Sequence, residues 1–298
     1  MTPWLDSRTR RKLEQVMLMA NRVRAGVSTG ERRSSRRGSS IEFADYRNYV
    51  QGDDLRRLDW KLYARAEKPY IKIYEDEEDL TVHLFLDVSA SMDFPPAEAA
   101  PDSNKFTYGR RLISGLATIA LSGTDRLSLT AVSGNSLHTF GPYRGRAYLP
   151  RMFAFISALQ ANGGLDLNSA LQTYARKERR PGLVIIVSDL FIPNGITSGL
   201  NELVGRGYEV ALIHTLAPEE LDPPLAGDLR LVDVETGRAQ EVTIDAAMRQ
   251  LYLQRLQHWQ SELRLECQRR NVHYLPVSTD TPFEKIILSE MRRLRLVR

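Results

Sequence analysis

Apolar and polar residues follow two different patterns along this chain of 298 residues. Before about residue 80, polar and charged positions dominate, and the only strand pattern is the period-two alternation of Tyr70–Tyr74. From Thr81 onward, short apolar runs alternate with stretches whose apolar residues recur every three or four positions. Short apolar runs are typical of buried strands, and the wider spacing is typical of amphipathic helices.

The region after Thr81 therefore predicts strands and helices in alternation. The predicted strands are 82–86, 127–132, 136–140, 183–187, 210–213 and 272–277, with a hairpin of 229–234 and 241–244. The predicted helices cover 106–120, 147–159, 168–177, 196–204, 248–267 and the chain from 282. Because such alternation favours parallel pairing, the predicted fold class is α/β, with a doubly wound, mostly parallel sheet and a small N-terminal α+β lobe.

The pattern before residue 80 predicts two further parts. Leu13, Met17, Ala20 and Val23 recur at helical spacing, and a polar run, 28–40, follows them. We therefore predict a basic N-terminal helix and flexible arm over 1–40, a small lobe over 41–75 and the large domain over 76–298.

Composition narrows the class of protein. Apolar residues make up 42% of the chain, which excludes wholesale disorder. The single cysteine, Cys267, excludes an internal disulfide framework, and its place on a helical apolar stripe predicts a buried structural thiol. No apolar run reaches the roughly 18 residues of a membrane helix, and charges interrupt the N-terminus where a signal peptide would be apolar. We therefore expect a cytoplasmic protein.

The net charge of +4 is unevenly distributed. Residues 1–40 hold ten basic and three acidic side chains, so the rest of the chain carries a net charge of −3. Four arginines of this segment are candidate partner-binding residues: Arg32, Arg33, Arg36 and Arg37. A solvated basic arm is the alternative. Aromatic residues that could stack on bases are missing from 5–40, so sequence-specific nucleic-acid binding is not expected.

Two carboxylates end buried strands of the predicted sheet. Asp87 follows the strand 82–86, and Asp189 follows 183–187 after one serine. Ser89 and Ser91 lie in the turn just beyond Asp87. Ligands of open α/β sheets bind at the carboxyl ends of strands, and such oxygen ligands suit Mg²⁺, then Mn²⁺ or Ca²⁺. The alternative is that the two serines only cap the turn.

The string Asp87–Ser91 resembles the Asp-x-Ser-x-Ser signature of von Willebrand factor type A domains and their metal-ion-dependent adhesion site. The resemblance implies a second loop with Gly-Gly-Thr and a third with a strand-end aspartate. Asp189 matches the third loop, and Gly163–Gly164 matches the second, but Leu165 stands where the family has Thr. Asp166, one residue on, is the candidate to replace it. The resemblance thus implies a metal site of Asp87, Ser89, Ser91 and Asp189, to which we add Asp166 as a candidate ligand.

From about Ser34 to the C-terminus, the chain is similar to a narrower family, domain of unknown function 58. The residues that carry this resemblance are Glu42-Phe43, Arg47, Tyr49, Gly52-Asp53-Asp54, Arg56, Asp59-Trp60 and Ala64-Arg65. Members of that family accompany MoxR-type AAA+ ATPases, and the pair is thought to act in assembly or maturation of protein complexes. The resemblance therefore implies a MoxR-type ATPase and its client protein as partners.

The charged residues of this lobe also have a purely physical interpretation. They predict a structural charge network over the body of an aromatic ring, made by Arg47, Asp53, Asp54, Arg56, Asp59, Trp60 and Arg65. A partner-binding surface is the alternative.

The chain lacks the sequence motifs of some common enzyme classes. The chain has no G-x-x-x-x-G-K-[ST] phosphate loop and no zinc-like spacing of its five histidines. His83 and His214 lie in predicted strands and are expected to be packed or surface residues. We therefore expect a non-enzymatic, divalent-metal-dependent protein-binding factor with no catalytic residues. A metal-assisted hydrolase using Asp87 and Asp189 is the alternative.

Overall fold

The structure is a computed structural model. It describes residues 4–20, 42–50, 58–66, 68–75, 80–134, 136–164, 166–178, 180–192, 195–234 and 237–298. Contacts divide the chain into two compact units, one formed by 1–28 together with 80–298 and the other by 29–79. No helix in these ranges combines the length and the apolar character that crossing a membrane requires.

A six-stranded sheet forms the centre of the large unit. Its strands lie in the order β10-β7-β6-β3-β4-β5, and only β5 runs antiparallel to its neighbour. The strands are β3 (Thr81–Asp87), β4 (Arg126–Ser133), β5 (Ser136–Arg144), β6 (Leu183–Ser188), β7 (Glu209–Leu216) and β10 (His273–Ser278). Continuous burial of β3, β6 and β7 agrees with the apolar runs of the sequence, because a parallel strand covered on both faces has no polar side.

Helices cover both faces of this sheet. Leu84 and Leu86 of β3 face one apolar cluster, while Phe85 between them faces the other. The first face carries α1 (Ser7–Leu13), α3 (Lys105–Ser122), α4 (Leu149–Ala158) and the C-terminal turns α9 (Phe283–Lys285), Ile286–Glu290 and α10 (Met291–Arg293). The second carries α5 (Leu167–Lys177), α6 (Thr197–Gly205) and the end of α8 (Ala246–Arg269). The predicted doubly wound α/β class is confirmed.

The strand order places a topological switch point between β3 and β6. From β3 the chain continues to β4 on one side, and after β5 it returns to β6 on the other side. Crossovers that diverge in this way leave a crevice at the carboxyl ends of the two strands. The strand order therefore brings Asp87 and Asp189 to one crevice.

The N-terminal helix is shorter than predicted. It ends at Leu13, whose side chain is buried in the core of the large unit. The backbone N–H groups of Met17 and Met19 then donate to the carbonyl oxygens of Arg298 and Leu296, at 3.1 and 2.9 Å. Tertiary pairing therefore replaces the predicted helical continuation through Ala20. The described residues 4–20 belong to the large unit, and the predicted boundary at residue 40 stays a prediction.

The predicted hairpin is present as β8 (Gly227–Val232) and β9 (Ala239–Ile244), and α7 (Pro218–Leu221) precedes it. The apolar stripe predicted on α8 is buried only near its end. Cys267 is buried there, as expected, whereas Met248 and Tyr252 near the helix start are exposed.

The small unit is an α+β hairpin. Strands β1 (Glu42–Asn48) and β2 (Tyr70–Glu75) pair antiparallel, and α2 (Trp60–Ala66) lies between them in sequence. Asp59 is buried and its Oδ1 accepts a hydrogen bond from the N–H of Leu62 in the first turn of α2, at 3.1 Å. Trp60 is 61% exposed, and its ring meets that of Tyr63 edge-on.

Part of the predicted charge network lies outside the described residues. Asp53, Asp54 and Arg56 lie outside the described residues, as do Arg32, Arg33, Arg36 and Arg37 of the predicted partner-binding set. Arg47 belongs to β1, and Arg65 is an exposed residue in the last turn of α2. The network and the arginine set stay predictions.

Candidate functional site

Asp87 and two hydroxyl groups form the centre of the site at the carboxyl end of β3. Oδ1 of Asp87 accepts hydrogen bonds from the backbone N–H and the hydroxyl of Ser89, at 2.8 and 2.6 Å. Oδ2 accepts from the hydroxyl of Ser188 at the end of β6, at 2.6 Å. The hydroxyls of Ser89 and Ser91 are hydrogen-bonded to each other, with 3.0 Å between their oxygens. A buried carboxylate thus orients a pair of hydroxyls.

The local sequence accounts for this arrangement. β3 is buried along its whole length, and its last residue, Asp87, ends the strand by bonding the N–H of Ser89 two residues on. A short 3₁₀ turn, Ala90–Met92, follows with Ser89 as its N-terminal flank. The Ser89 side chain makes no capping hydrogen bond to this turn. The interpretation that the serine only caps the turn is therefore wrong for Ser89.

Burial dominates the electrostatics of Asp87. The loss of solvent raises the pKa of its carboxyl group, and the negative charge of Asp189 raises it further. The hydrogen bonds donated by Ser188 and Ser89 act in the opposite direction. The ionised carboxylate is therefore held in a place that penalises its charge.

The Gly163–Gly164 loop lies directly beside this turn. The N–H of Ala90 donates to the carbonyl of Gly163 at 2.8 Å, and the N–H of Asn162 donates to the carbonyl of Val88 at 2.9 Å. Gly163 has φ +69°, and a Cβ added there would lie 3.2 Å from the Ser133 hydroxyl. The structure thus brings together the first and second loops that the sequence singled out.

Asp166 has a structural role in this loop. It is the N-cap of α5, and its Oδ1 accepts a hydrogen bond from the N–H of Ser169 at 3.1 Å. A carboxylate that stabilises the first turn of a helix in this way has a structural reason for its place. Leu165, the residue that departs from the resemblance, lies outside the described residues.

Asp189 is fully buried and faces a lysine. Its Oδ2 accepts a hydrogen bond from the ammonium of Lys105 at 2.7 Å, and its Oδ1 accepts from the N–H of Phe191 at 3.2 Å. The same ammonium donates to Oε1 of Glu220 on α7 at 2.6 Å. The Lys105 side chain has no exposed surface. A buried ion pair with a second carboxylate therefore adjoins the Asp87 turn.

Sequence reasoning missed Lys105, Glu220 and the contact made by Ser188. The motif Ile-Val-Ser-Asp contained Ser188, but nothing in the sequence indicated that its hydroxyl reaches Asp87. Lys105 carried one weak signal: it opens a helix, where a positive charge opposes the helix dipole. Such a misplaced charge indicates a tertiary partner without naming it.

His214 lies near Asp189, and its ring is a packed side chain of the core. Its ring is buried, its Nδ1 is 2.7 Å from the hydroxyl of Tyr274, and it meets Trp259 edge-on. Burial lowers the pKa of His214 to about 4, although the charge of Asp189 opposes this shift. The expectation of packed histidines is confirmed for His214 and for His83, which is also buried.

The donor set fits a small hard cation. Adjacent oxygens around an octahedral Mg²⁺, each at about 2.1 Å, lie about 3.0 Å apart, which matches the separation of the Ser89 and Ser91 hydroxyls. Within the described ranges, no group of three or more His, Cys, Asp or Glu side chains is placed to hold a metal ion. A cation here would therefore be held by Asp87 together with the hydroxyls rather than by a cluster of acids.

Comparison with known families identifies the chain. The family model described as Protein of unknown function DUF58 matches residues 45–262. The chain belongs to the DUF58 family. The family resemblance inferred from the first lobe is thereby confirmed, although the matched span is shorter than the predicted one from Ser34 to the C-terminus.

Two curated relatives of this DUF58 protein are named as uncharacterized proteins. Uncharacterized protein Rv1480 of Mycobacterium tuberculosis is 30% identical over 227 residues, which cover 75% of this chain and 70% of that protein. Uncharacterized protein MAV169 of Mycobacterium avium is 39% identical over 84 residues, covering 28% of this chain and 49% of that protein. The relatives therefore establish the family and carry no activity with them.

Two solved structures have distant similarity to this DUF58 protein. The conserved hypothetical protein BatB from Bacteroides thetaiotaomicron has a TM-score of 0.45 at 16% identity, covering 72% of this chain and 98% of that one. The SpRpn10 VWA domain has a TM-score of 0.34 at 11% identity, covering 72% and 95%. Both scores are too low to support an inference about function.

Proposed function

We propose that this DUF58 protein is a protein-binding factor whose binding depends on a divalent cation, Mg²⁺ or Mn²⁺ or Ca²⁺, at the carboxyl end of β3. The residues that would hold the cation are Asp87, Ser89 and Ser91. The single observation that carries the proposal is the pair of hydroxyl oxygens 3.0 Å apart above a buried carboxylate. The two hydroxyls are hydrogen-bonded to each other at this separation, which is also about the one between neighbouring ligands of a small octahedral cation.

The residues around the cation position have different roles in the proposed binding. Asp87 supplies negative charge from a buried place and orients the Ser89 hydroxyl, while Ser91 is partly exposed and lies on the solvent side. Neutral hydroxyl ligands leave a bound cation electron-poor, and such a cation attracts a carboxylate oxygen of a partner. The rings of Phe94 and Phe191, 39% and 40% exposed, add apolar surface beside Lys105.

Calorimetric titration with Mn²⁺ and Mg²⁺ tests the cation requirement. Wild type is expected to bind, and Ser91→Ala is expected to bind at least about tenfold more weakly, because one of few ligands is lost. Ser136→Ala, at an exposed serine on β5, is the matched control and is expected to bind as wild type does. Absence of binding by wild type would overturn the proposal. Binding accompanied by phosphoester hydrolysis that Asp87→Asn abolishes would instead assign the metal-assisted hydrolase.

The family resemblance supports a MoxR-type AAA+ ATPase as the partner, acting in assembly or maturation of a client protein complex. Such an ATPase needs Mg²⁺ for its own nucleotide, so chelation alone does not report on this site. The informative comparison is capture of the purified ATPase by wild type, Ser91→Ala and Ser136→Ala at one Mg²⁺ concentration. Loss of capture only with Ser91→Ala supports the proposal, and equal capture by all three contradicts it.

A further inference from the structure

Lys105 is a buried cation beside the candidate site. Its ammonium lies 2.7 Å from Oδ2 of Asp189 and 2.6 Å from Oε1 of Glu220, and its side chain is inaccessible to solvent. The ring centroids of Phe191 and Phe94 are 4.9 and 5.8 Å from the same nitrogen. Removing an ammonium from water is costly, and the two carboxylates offset that cost.

The position of Lys105 in its helix gives it no local advantage. It is the first residue of α3, directly after the N-cap Asn104, where the helix dipole favours negative rather than positive charge. The contacts that retain the ammonium are therefore the tertiary ones. These contacts join the start of α3 to the loops that follow β6 and β7, both at the carboxyl edge of the sheet.

The ammonium also changes what Asp189 can offer to a cation. One carboxylate oxygen of Asp189 faces Lys105 and the other accepts the N–H of Phe191. Asp189 directly follows Ser188, whose hydroxyl donates to Oδ2 of Asp87 at 2.6 Å, so the charge of Asp189 lies close to the Asp87 carboxylate. The formal charges of Asp87, Asp189 and Glu220 together with that of Lys105 sum to −2. Lys105 thus cancels one of the charges that would attract a cation.

We propose that Lys105 is an internal counter-ion that sets the affinity of the Asp87 site for a divalent cation. The inference rests on the proposed function and deepens it, because it makes binding weak enough to be reversible. Lys105 acts through charge and touches neither the cation nor the partner. Removing the ammonium strengthens cation binding, and removing the Glu220 carboxylate weakens it.

A set of three variants separates charge from structure. Lys105→Met gives the group a net charge of −3, Glu220→Gln gives −1, and the double variant restores −2. Calorimetric Mn²⁺ titration is expected to show binding about tenfold tighter for Lys105→Met and about tenfold weaker for Glu220→Gln, since a unit charge acts on a divalent cation over several ångströms even at an effective dielectric constant of about 20. The double variant is expected to bind within about threefold of wild type.

Glu220→Gln keeps the test decisive if Lys105→Met does not fold, because the amide oxygen still accepts from Lys105. Thermal unfolding of each variant without cation shows which proteins are native. A native Glu220→Gln protein that binds Mn²⁺ as tightly as a binding-competent wild type would overturn the role of Lys105. Absence of binding by wild type with binding by Lys105→Met would support Lys105 and overturn the proposed function.

Discussion

A buried histidine lowers the stability of this protein at acidic pH. His83 on β3 is fully buried, its Nδ1 is 2.7 Å from the hydroxyl of Tyr174, and its Nε2 is 3.2 Å from the carbonyl oxygen of Arg180. Burial lowers the pKa of His83 from 6.5 to about 4, against the weaker opposing charge of Glu178. The substitution that tests this is His83→Gln, which keeps a side-chain amide for the Arg180 carbonyl and does not titrate.

The direction and size of the change in the free energy of unfolding with pH follow from proton uptake by the unfolded chain. Above pH 6.5 His83 is neutral in both states and its full contribution is present. Between pH 6.5 and 4 only the unfolded chain takes up the proton, so the free energy of unfolding falls, by about 3 kcal/mol for the shift of His83. His214, whose pKa burial also lowers to about 4, adds a comparable loss in both proteins.

Urea unfolding at pH values from 4 to 7.5 measures this loss. The fall in the free energy of unfolding is expected to be about 3 kcal/mol smaller in His83→Gln than in wild type. His138→Gln, at an exposed histidine on β5, is the control for loss of an imidazole and is expected to follow wild type. Equal pH profiles for wild type and His83→Gln would refute the reasoning.

Three further outcomes are expected. Asp87→Asn, in chelator at pH 8, is expected to raise the free energy of unfolding by about 1–3 kcal/mol, because it removes a buried charge that Asp189 repels. Gly163→Ala is expected to lower it by about 1–2 kcal/mol and to weaken cation binding, because φ is +69° and the new Cβ approaches Ser133. Cys267, whose thiol has its pKa raised by burial to about 11, is expected to react with a disulfide reagent only in denaturant.

Matched controls sharpen the first two of these outcomes. Asp102→Asn removes a mostly exposed carboxylate and is expected to change stability by less than about 1 kcal/mol. Gly205→Ala adds a Cβ into open space at the end of α6 and is expected to leave stability nearly unchanged or slightly raised. A destabilised Asp87→Asn, or a Gly163→Ala as stable as wild type, would contradict the account of those positions.

The sequence predicted the fold correctly where nearby residues determine the structure of an element. Leu183–Ser188 is an apolar run bounded by Gly182 and Asp189, and it is a fully buried parallel strand. Asp87 and Asp189 were found because strand ends of a parallel sheet meet at one edge. The turn Asp87–Ser91 was predictable because its hydrogen bonds join residues two apart.

The sequence pattern did not predict the structure where contacts between residues far apart in the sequence determine it. Met17 lies on a helical stripe, yet its N–H pairs with Arg298, so the helix ends at Leu13. The ammonium of Lys105 pairs with carboxylates 84 and 115 residues away, and no local spacing encodes such contacts. Ser188 likewise reaches Asp87 only because β3 and β6 are neighbours in the sheet.

The most direct measurement of the central claim is a crystal structure of the wild-type protein grown with Mn²⁺, with the ion located by its anomalous scattering. The account predicts one strong anomalous peak at direct ligand distance from the hydroxyls of Ser89 and Ser91, beside Asp87. A well-ordered Asp87–Ser91 turn without a peak, at a Mn²⁺ concentration that saturates the calorimetric signal, would contradict it.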